Sequence, residues 1–469
     1  MIITLRHLTA IAVSASLLIS CRNGEGSAPG QKESLGTVET YVYAASVIPS
    51  VRYSVKVNGE NQTVISTTEP DFCVFGAGGK VKVEIASYEE HIKSAVVRPL
   101  NKNPEYEVEN DRITLYMQPY DRFVVEINGS EDGALFVFAN PVEQKPADRS
   151  NYKYFETGKV YDAGQISLAS GQKVYIEGGA IVKGAVSCTG QKNVGIEGCG
   201  ILDNGDGDQK TVFFNKCDGV SLRNVLVRNR NAWTTFIADS QNIDADGYKV
   251  IATFSDKADG SGNENDAFDL MGVAHARIKH GFSYCHDDAY CIKSRKWTYG
   301  AETHDIVFED CIAWNHGSGN SFEIGYELQE NVYDIHFKDI FSIHSAGRAE
   351  YRRGAIGIHN GAGGKISDIS YENVWLEDPK EYGIYMTIIQ SNYNIGNDVT
   401  WAPGYMENIS FKNVHIGKTA YGNFAKGYDS ATHALKNIRF EDLFIEGKKA
   451  VNATEAGFKT LTNADISFK

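Results

Sequence analysis

The chain has 469 residues, and 46 Lys and Arg against 60 Asp and Glu give it a formal charge of −14 at pH 7. That acidity excludes nucleic acid, or an anionic membrane surface, as the main binding partner. Forty-six Gly against 10 Pro, with 25 Tyr and 22 Phe, favour many short strands joined by tight turns over helices.

At the amino terminus, Arg6 and His7 precede an apolar run from Leu8 to Ile19, and Leu17-Leu-Ile-Ser-Cys21 stands where cleavage would fall. Residues 1–21 therefore read as a lipoprotein signal peptide with Cys21 as the lipidated residue. The run is shorter than the roughly 18 apolar residues of a membrane span. Residues 22–37, rich in Gly and Ser, read as a flexible tether. The implied location is that of an exported lipoprotein, facing the periplasm or the cell surface and touching the membrane only through its anchor. Lipidation would consume one of eight cysteines and leave an odd number, so at least one is unpaired. No Cys/His spacing suggests zinc, and neither a metal nor another cofactor is expected. Cys199, Cys285 and Cys311 sit in strand-like runs and read as buried thiols, with a disulfide among them left open.

Residues 38–145 carry short alternating strands, among them Tyr53-Ser-Val-Lys-Val57, Val81-Lys-Val-Glu-Ile85 and Phe123-Val-Val-Glu-Ile127, punctuated by Gly and Asn. That spacing predicts a β-sandwich. Pro141 to Ser150 reads as a linker. The sandwich is also expected to cover the otherwise exposed first coil of the carboxy-terminal domain.

Residues 146–469 are dominated by an internal repeat: Asp or Asn, Ile, any residue, an aromatic, any residue. Its copies begin at Asp305, Asp334, Asp368, Asn408, Asn437 and Asp465, with looser ones at Asn193, Gly219, Asn242 and His275. Intervals of 23 to 40 residues suit a coil of short strands with variable loops. Alternation inside each copy points the Ile and the aromatic the same way, to stack on their equivalents in the next coil. The leading Asp or Asn supplies the turn, since it tolerates left-handed backbone. The fold class expected is all-β, a right-handed parallel β-helix preceded by a small sandwich. Asp203, Asp310 and Asp339 are expected to be turn residues of the same kind.

Two acidic stretches fall one short coil apart. Asn263-Glu-Asn-Asp-Ala-Phe-Asp-Leu270 is followed by Cys285-His-Asp-Asp-Ala-Tyr-Cys-Ile-Lys293, so Asp266 and Asp287 lie 21 residues apart. That phase gathers Asp266, Asp287 and Asp288 on one face of the solenoid. Glycoside hydrolysis needs a carboxylic acid to protonate the leaving oxygen and a carboxylate to activate water or attack the sugar. Crowded like charges supply both, because one acid keeps its proton while its neighbours stay ionised.

These residues resemble the polygalacturonase/dextranase superfamily of β-helix glycoside hydrolases, over roughly Val174 to Asn373. Polygalacturonases carry Asn-Thr-Asp-Gly/Ala-Phe/Ile-Asp and, one coil later, Asp-Asp-Cys; this chain has Asn-Glu-Asn-Asp266-Ala-Phe-Asp and Asp287-Asp288-Ala-Tyr-Cys. The resemblance implies an inverting mechanism, with Asp287 as the general acid and Asp266 with Asp288 as the water-activating pair. Asn315-His-Gly-Ser-Gly-Asn-Ser-Phe-Glu-Ile-Gly325 stands where that family has Gly-His-Gly-Leu-Ser-Ile-Gly, which puts Asn320 at the catalytic His and leaves His316 four residues earlier, as a loop residue that reaches the site. The family's Arg-Ile-Lys appears as Arg353-Gly-Ala, with Arg348 and Arg352 near, so its lysine is missing. Those departures move weight from plain polygalacturonate toward a neutral glucan or a decorated uronan, and the amino-terminal sandwich leans toward the dextranase branch.

Lys293, Arg353, Asn320, His316, Trp233 and Tyr326 complete the candidate substrate contacts. Trp297, Trp314 and Trp401 are further candidates for stacking on sugar rings. The expected partner is a polysaccharide or oligosaccharide. Two other readings fit the same features. A β-helix polysaccharide lyase would use the acids to hold calcium. A non-catalytic glycan-binding surface protein would tolerate Asp287→Asn and Asp310→Asn equally.

Overall fold

Alternation makes the amino-terminal strands. Tyr53–Val57 and Val81–Ser87 bury every second side chain, the pattern of a sheet with one face in a core. They belong to a five-stranded antiparallel sheet in the order Glu60–Gln62, Tyr53–Val57, Val81–Ser87, Arg112–Met117, Tyr106–Glu109. The facing sheet runs Thr37–Glu39, Asp71–Gly78, Leu135–Pro141, Arg122–Ile127, Ala95–Arg98, with Val64–Ile65 pairing Asp71–Gly78. Its three central strands are buried on both faces, as the near-continuous apolar run Leu135-Phe-Val-Phe-Ala139 requires. One face fills the sandwich core with Cys73, Phe75, Val125 and Val137. The other, with Phe72, Val74, Val124, Phe136 and Phe138, packs on the second domain. The computed structural model describes residues 34–254, 265–295, 301–345, 353–391 and 401–469. Cys21, the signal peptide, most of the tether, Asn263, Glu264, Trp297, Arg348 and Arg352 lie outside them.

From Tyr152–Phe155 to Ala464–Phe468 the described residues wind into one parallel β-helix whose sheet has 29 strands, of which Lys448–Ala450 pairs antiparallel. Most strands pair with the strand three further on, so three faces repeat along the axis. The sequence repeat lines the first face. Ile306, Ile335, Ile369, Ile409, Ile438 and Ile466 pair in register from coil to coil. The aromatics two residues on form a ladder: Phe308–Phe337 5.0 Å, Phe337–Tyr371 4.7 Å, Tyr371–Phe411 4.9 Å and Phe411–Phe440 4.6 Å between near-parallel rings. That spacing is the strand separation itself, about 4.8 Å, so one residue type repeated at one register position builds both the pairing and the core. Left-handed backbone occurs at the leading residue of nine copies, from Asn193 (φ 53°) to Asn437 (φ 54°). The last copy departs: there Asn463, not Asp465, has positive φ.

The second face comprises Ile201–Asp203, Leu226–Asn229, Lys249–Ala252, Phe282–Cys285 and Ile312–Asn315 before it merges into longer strands. This face meets the sandwich. Phe136 packs edge-on to Phe282 at 5.1 Å and to Tyr284 at 5.4 Å, and Leu226, Ile251, Ile312 and Phe341 complete the seam. Residues 35–469 form one compact unit. The sandwich thus lies along the flank from Ile181 to Phe341 and does not sit across the first coil, contrary to the expectation from sequence. A two-sided apolar sheet finds more surface to bury on a flank than on one coil's end.

The three expected turn aspartates do more than one thing. Asp339 (φ 52°) and Asp310 (φ 51°) are turn residues, but Asp310 also holds the seam, pairing with the buried Arg122 at 2.7 Å and with Lys102 at 2.5 Å. Asp203 serves its turn without positive φ: it ends a strand, accepts the Gly205 N–H two residues on at 2.9 Å, an Asx-turn, and pairs with Arg228 at 3.1 Å. The seven described cysteines are free and buried, in keeping with their reading as thiols.

Candidate active site

The acids stand in the connections that lead into the third face. Phe268–Met271 pairs with Tyr290–Ser294, and that strand with Phe322–Leu328. Backbone bonds continue the register upstream: the Ala267 N–H donates to the Asp288 carbonyl and the Ala289 N–H to the Asn320 carbonyl, both at 2.9 Å. Asp266, Asp288 and Asn320 therefore form one column, a residue per coil. Carboxylate oxygens of Asp266 and Asp288 lie within 4.8 Å of each other. The glycines of the His-Gly-Ser-Gly loop permit this crowding; a Cβ at Gly319 would lie 2.2 Å from the Asp287 backbone carbon.

Asp266, Asp287, Asp288, Lys293, Trp233, Tyr326, Arg353 and Glu327 line one cavity of about 80 Å³. The Lys293 ammonium sits 2.8 Å from Asp266 Oδ2, 3.0 Å from Asp269 Oδ1 and 3.9 Å from the centroid of the Trp233 ring. Asp288 Oδ1 accepts the Asn320 backbone N–H at 2.7 Å and its Nδ2 at 3.0 Å. Asp287 remains partly exposed to the cavity. The Arg353 guanidinium lies 5.1 Å from the Tyr326 ring centroid, and its Nε and Nη1 are buried without a hydrogen-bond partner among the described residues.

Burial raises three of the acids. Burial, with Asp266 and Asp288 beside it, pushes the Asp287 carboxyl well above the usual range. Burial also raises Asp266, although Lys293 opposes it. Asp269 is raised well above its ordinary value by burial and then by Asp266. Burial alone would lower Lys293, but Asp266 and Asp269 outweigh it and hold the ammonium charged. For Arg353 too, the neighbouring Asp288, Tyr326 and Asp287 outweigh the cost of burial.

Two residues anticipated at the site lie elsewhere. Asn320 is wholly buried behind Asp288, its Oδ1 occupied by the Gly354 N–H at 2.9 Å, so it orients the carboxylate and does not reach the cavity. His316 follows Ile312–Asn315 on the second face, its N–H bonded to the Cys285 carbonyl at 2.8 Å, and its ring lies among Tyr284, Trp314 and His286 on the sandwich side. Trp314 is 2% exposed and belongs to the seam, and Trp401 donates its indole N–H to the Gly361 carbonyl at 2.9 Å. Neither presents a face to the acid cavity.

Sequence reasoning missed Asp269, Glu327 and the buried pair Glu323–His359, joined at 2.7 Å beneath Tyr326. Asp269 had a signal, since strand alternation from Phe268 turns it opposite to the core residues Phe268 and Leu270. Glu327 and His359 had none.

A parallel β-helix with an acid-lined cavity at the entry to its third face places this protein among the β-helix glycosidases. It belongs to glycosyl hydrolases family 28, whose sequence pattern matches residues 153–403. Among solved structures, Dex49A from Penicillium minioluteum is similar at 15% identity, covering 92% of this chain and 96% of its own with a TM-score of 0.58. A hyperthermoactive exopolygalacturonase from Thermotoga maritima is similar at 16% identity, covering 68% and 83%, with a TM-score of 0.54. At such identities these two likenesses concern the fold. No curated protein matches the chain.

Proposed function

We propose that the protein is an inverting glycoside hydrolase in which Asp287 is the general acid and Asp266 with Asp288 activates water. The carrying observation is the gathering of the three acids on one cavity: Asp266 and Asp288 bring carboxylate oxygens within 4.8 Å of each other, Asp288 is held by two N–H donors from Asn320, and Asp287 beside them is pushed toward its protonated form. A proton moves from Asp287 to the glycosidic oxygen as that bond breaks. Water held by Asp266 and Asp288 attacks the anomeric carbon from the opposite face and loses its proton to that pair, which inverts the configuration.

The substrate is a polysaccharide or oligosaccharide of the α-glucan or uronan type. Arg353 favours the uronan, because its cation lines the cavity with N–H groups that no described residue accepts and a substrate carboxylate would accept a charge-assisted hydrogen bond there, and Lys293 adds the second cation that the Arg353-Gly-Ala sequence lacks. A reducing-sugar screen against dextran, pullulan, polygalacturonate and rhamnogalacturonan tests this reading. We expect turnover of a uronan-containing polymer, with the inverted anomer appearing first by proton NMR. Retention of configuration, or an unsaturated ultraviolet-absorbing product, would exclude the mechanism, the latter in favour of a lyase.

We further infer, from residues 1–21 alone, that the enzyme is an exported lipoprotein anchored through Cys21 and meets its glycan at a membrane surface. Metabolic labelling with palmitate should mark the chain and fail to mark Cys21→Ala; equal labelling of both would remove the inference.

A further inference from the structure

A second cluster of ligating side chains lies outside the acid cavity, where the sandwich meets the second face of the solenoid. Glu69, in the connection between Val64–Ile65 and Asp71–Gly78, reaches across the seam to His286 and His316. One ligand atom from each of the three lies within 4.8 Å of the other two. The geometry points to a binding site here for one divalent transition-metal ion, zinc by preference, that pins the sandwich to the loop bearing Asp287.

Each ligand is already oriented. The Glu69 carboxylate accepts the Tyr284 hydroxyl at 2.5 Å and the Phe254 N–H at 2.5 Å, outer contacts of the kind that aim a metal-binding carboxylate. His286 Nε2 stands 2.9 Å and 3.1 Å from the two Glu69 oxygens, close to the separation of neighbouring ligands around a small tetrahedral ion. The His316 ring centroid lies 5.0 Å from that of His286. An ion pair between Glu69 and His286 accounts for those two residues without a metal, but it leaves His316 unexplained. Its Nδ1 is buried and has no hydrogen-bond partner among the described residues, a costly state for a polar nitrogen. A metal ion gives all three residues one purpose.

The donor set selects the ion. Two imidazole nitrogens and one carboxylate suit zinc or its first-row neighbours, whereas calcium and magnesium take oxygen ligands. A cavity of about 310 Å³, lined by Glu69, His316, Tyr284, Trp314, Glu131 and Asp132 among others, adjoins the cluster. It has room for water as a fourth ligand. His286 immediately precedes Asp287, so occupancy would restrain the backbone that carries the proposed acid. No sequence motif announces the site, because Glu69 and His286 are 217 residues apart.

The full chain, stripped with chelator and then freed of it, is titrated with zinc chloride by calorimetry and followed by thermal unfolding and X-ray absorption. We expect one zinc per chain, a higher melting temperature, and a first shell of nitrogen and oxygen only, at about 2.0–2.1 Å. His316→Ala should weaken zinc more than about tenfold and lose the upward thermal shift on adding zinc, whatever the melting temperature of its own metal-free form. The proposal is overturned by failure to take up zinc, or by equal affinity in His316→Ala. Sulfur in the first shell would also overturn it, because among the compact donor sets of the described residues only Asp266, Asp288 and Cys291 offers sulfur.

Discussion

Asp287→Asn is expected to lower kcat by about 10²- to 10⁴-fold, the usual contribution of a positioned general acid, while the melting temperature stays level or rises. Asn keeps the size of the side chain and cannot release a proton to the leaving oxygen. Stability moves the other way for an electrostatic reason. The folded protein holds the Asp287 carboxyl well above its ordinary pKa through burial and through Asp266 and Asp288, so the native state binds more protons than the unfolded one. Stability from this group is therefore greatest below the unfolded carboxyl pKa and falls as pH rises through the folded value. Asn removes that loss. The same shift sets the activity profile: kcat/KM should fall on the alkaline side as Asp287 loses its proton. Steady-state rates and thermal melts of wild type and Asp287→Asn across pH test both statements, and a variant that stays active denies Asp287 its role. The matched control is Asp339→Asn at a plain turn, not Asp310→Asn, because Asp310 anchors Arg122 across the seam.

Lys293→Met should destabilise the protein by about 3–5 kcal/mol, the range for removing one partner from a buried ion pair. The ammonium is buried and serves Asp266 and Asp269 at once, at 2.8 Å and 3.0 Å. Met fills much of the same space, so the effect reports charge more than volume. Without the cation the two carboxyls repel in a dry site, their folded pKa values climb further, and stability drains away as pH rises above the ordinary carboxyl range. The loss should be smallest in acid. The double variant Lys293→Met/Asp269→Asn should recover part of the stability without recovering activity, because Asp266 still lacks its counter-ion beside Trp233. Chemical-denaturation midpoints of the single and double variants, taken at acid and neutral pH, decide this. A single variant as stable as the wild type would mean that neither Asp266 nor Asp269 needs the cation.

The solenoid could be read from the chain because its information is local and repeated. Each copy carries a residue suited to left-handed backbone, then an Ile and an aromatic on one face, and parallel stacking turns that short pattern into ladders such as Phe308–Phe337–Tyr371–Phe411. The same arithmetic brought Asp266, Asp287 and Asp288 to one cavity: when a coil is about as long as the interval between two motifs, linear spacing becomes spatial adjacency. Lys293 and Arg353 arrived there for the same reason. What spacing does not carry is the direction of a side chain once a loop leaves the strand. Asn320 turned behind Asp288 because its amide is consumed by Asp288 and Gly354. His316 turned to the sandwich because the strand before it lies on the second face. The seam was out of reach altogether, since Arg122–Asp310 and Glu69–His286 join residues 188 and 217 positions apart, and no periodicity links two domains that bury their faces against each other. Fold and acid cluster thus come from short-range pattern, while the partners that set each acid's charge, and the donor set at the seam, come from packing between elements distant in the chain.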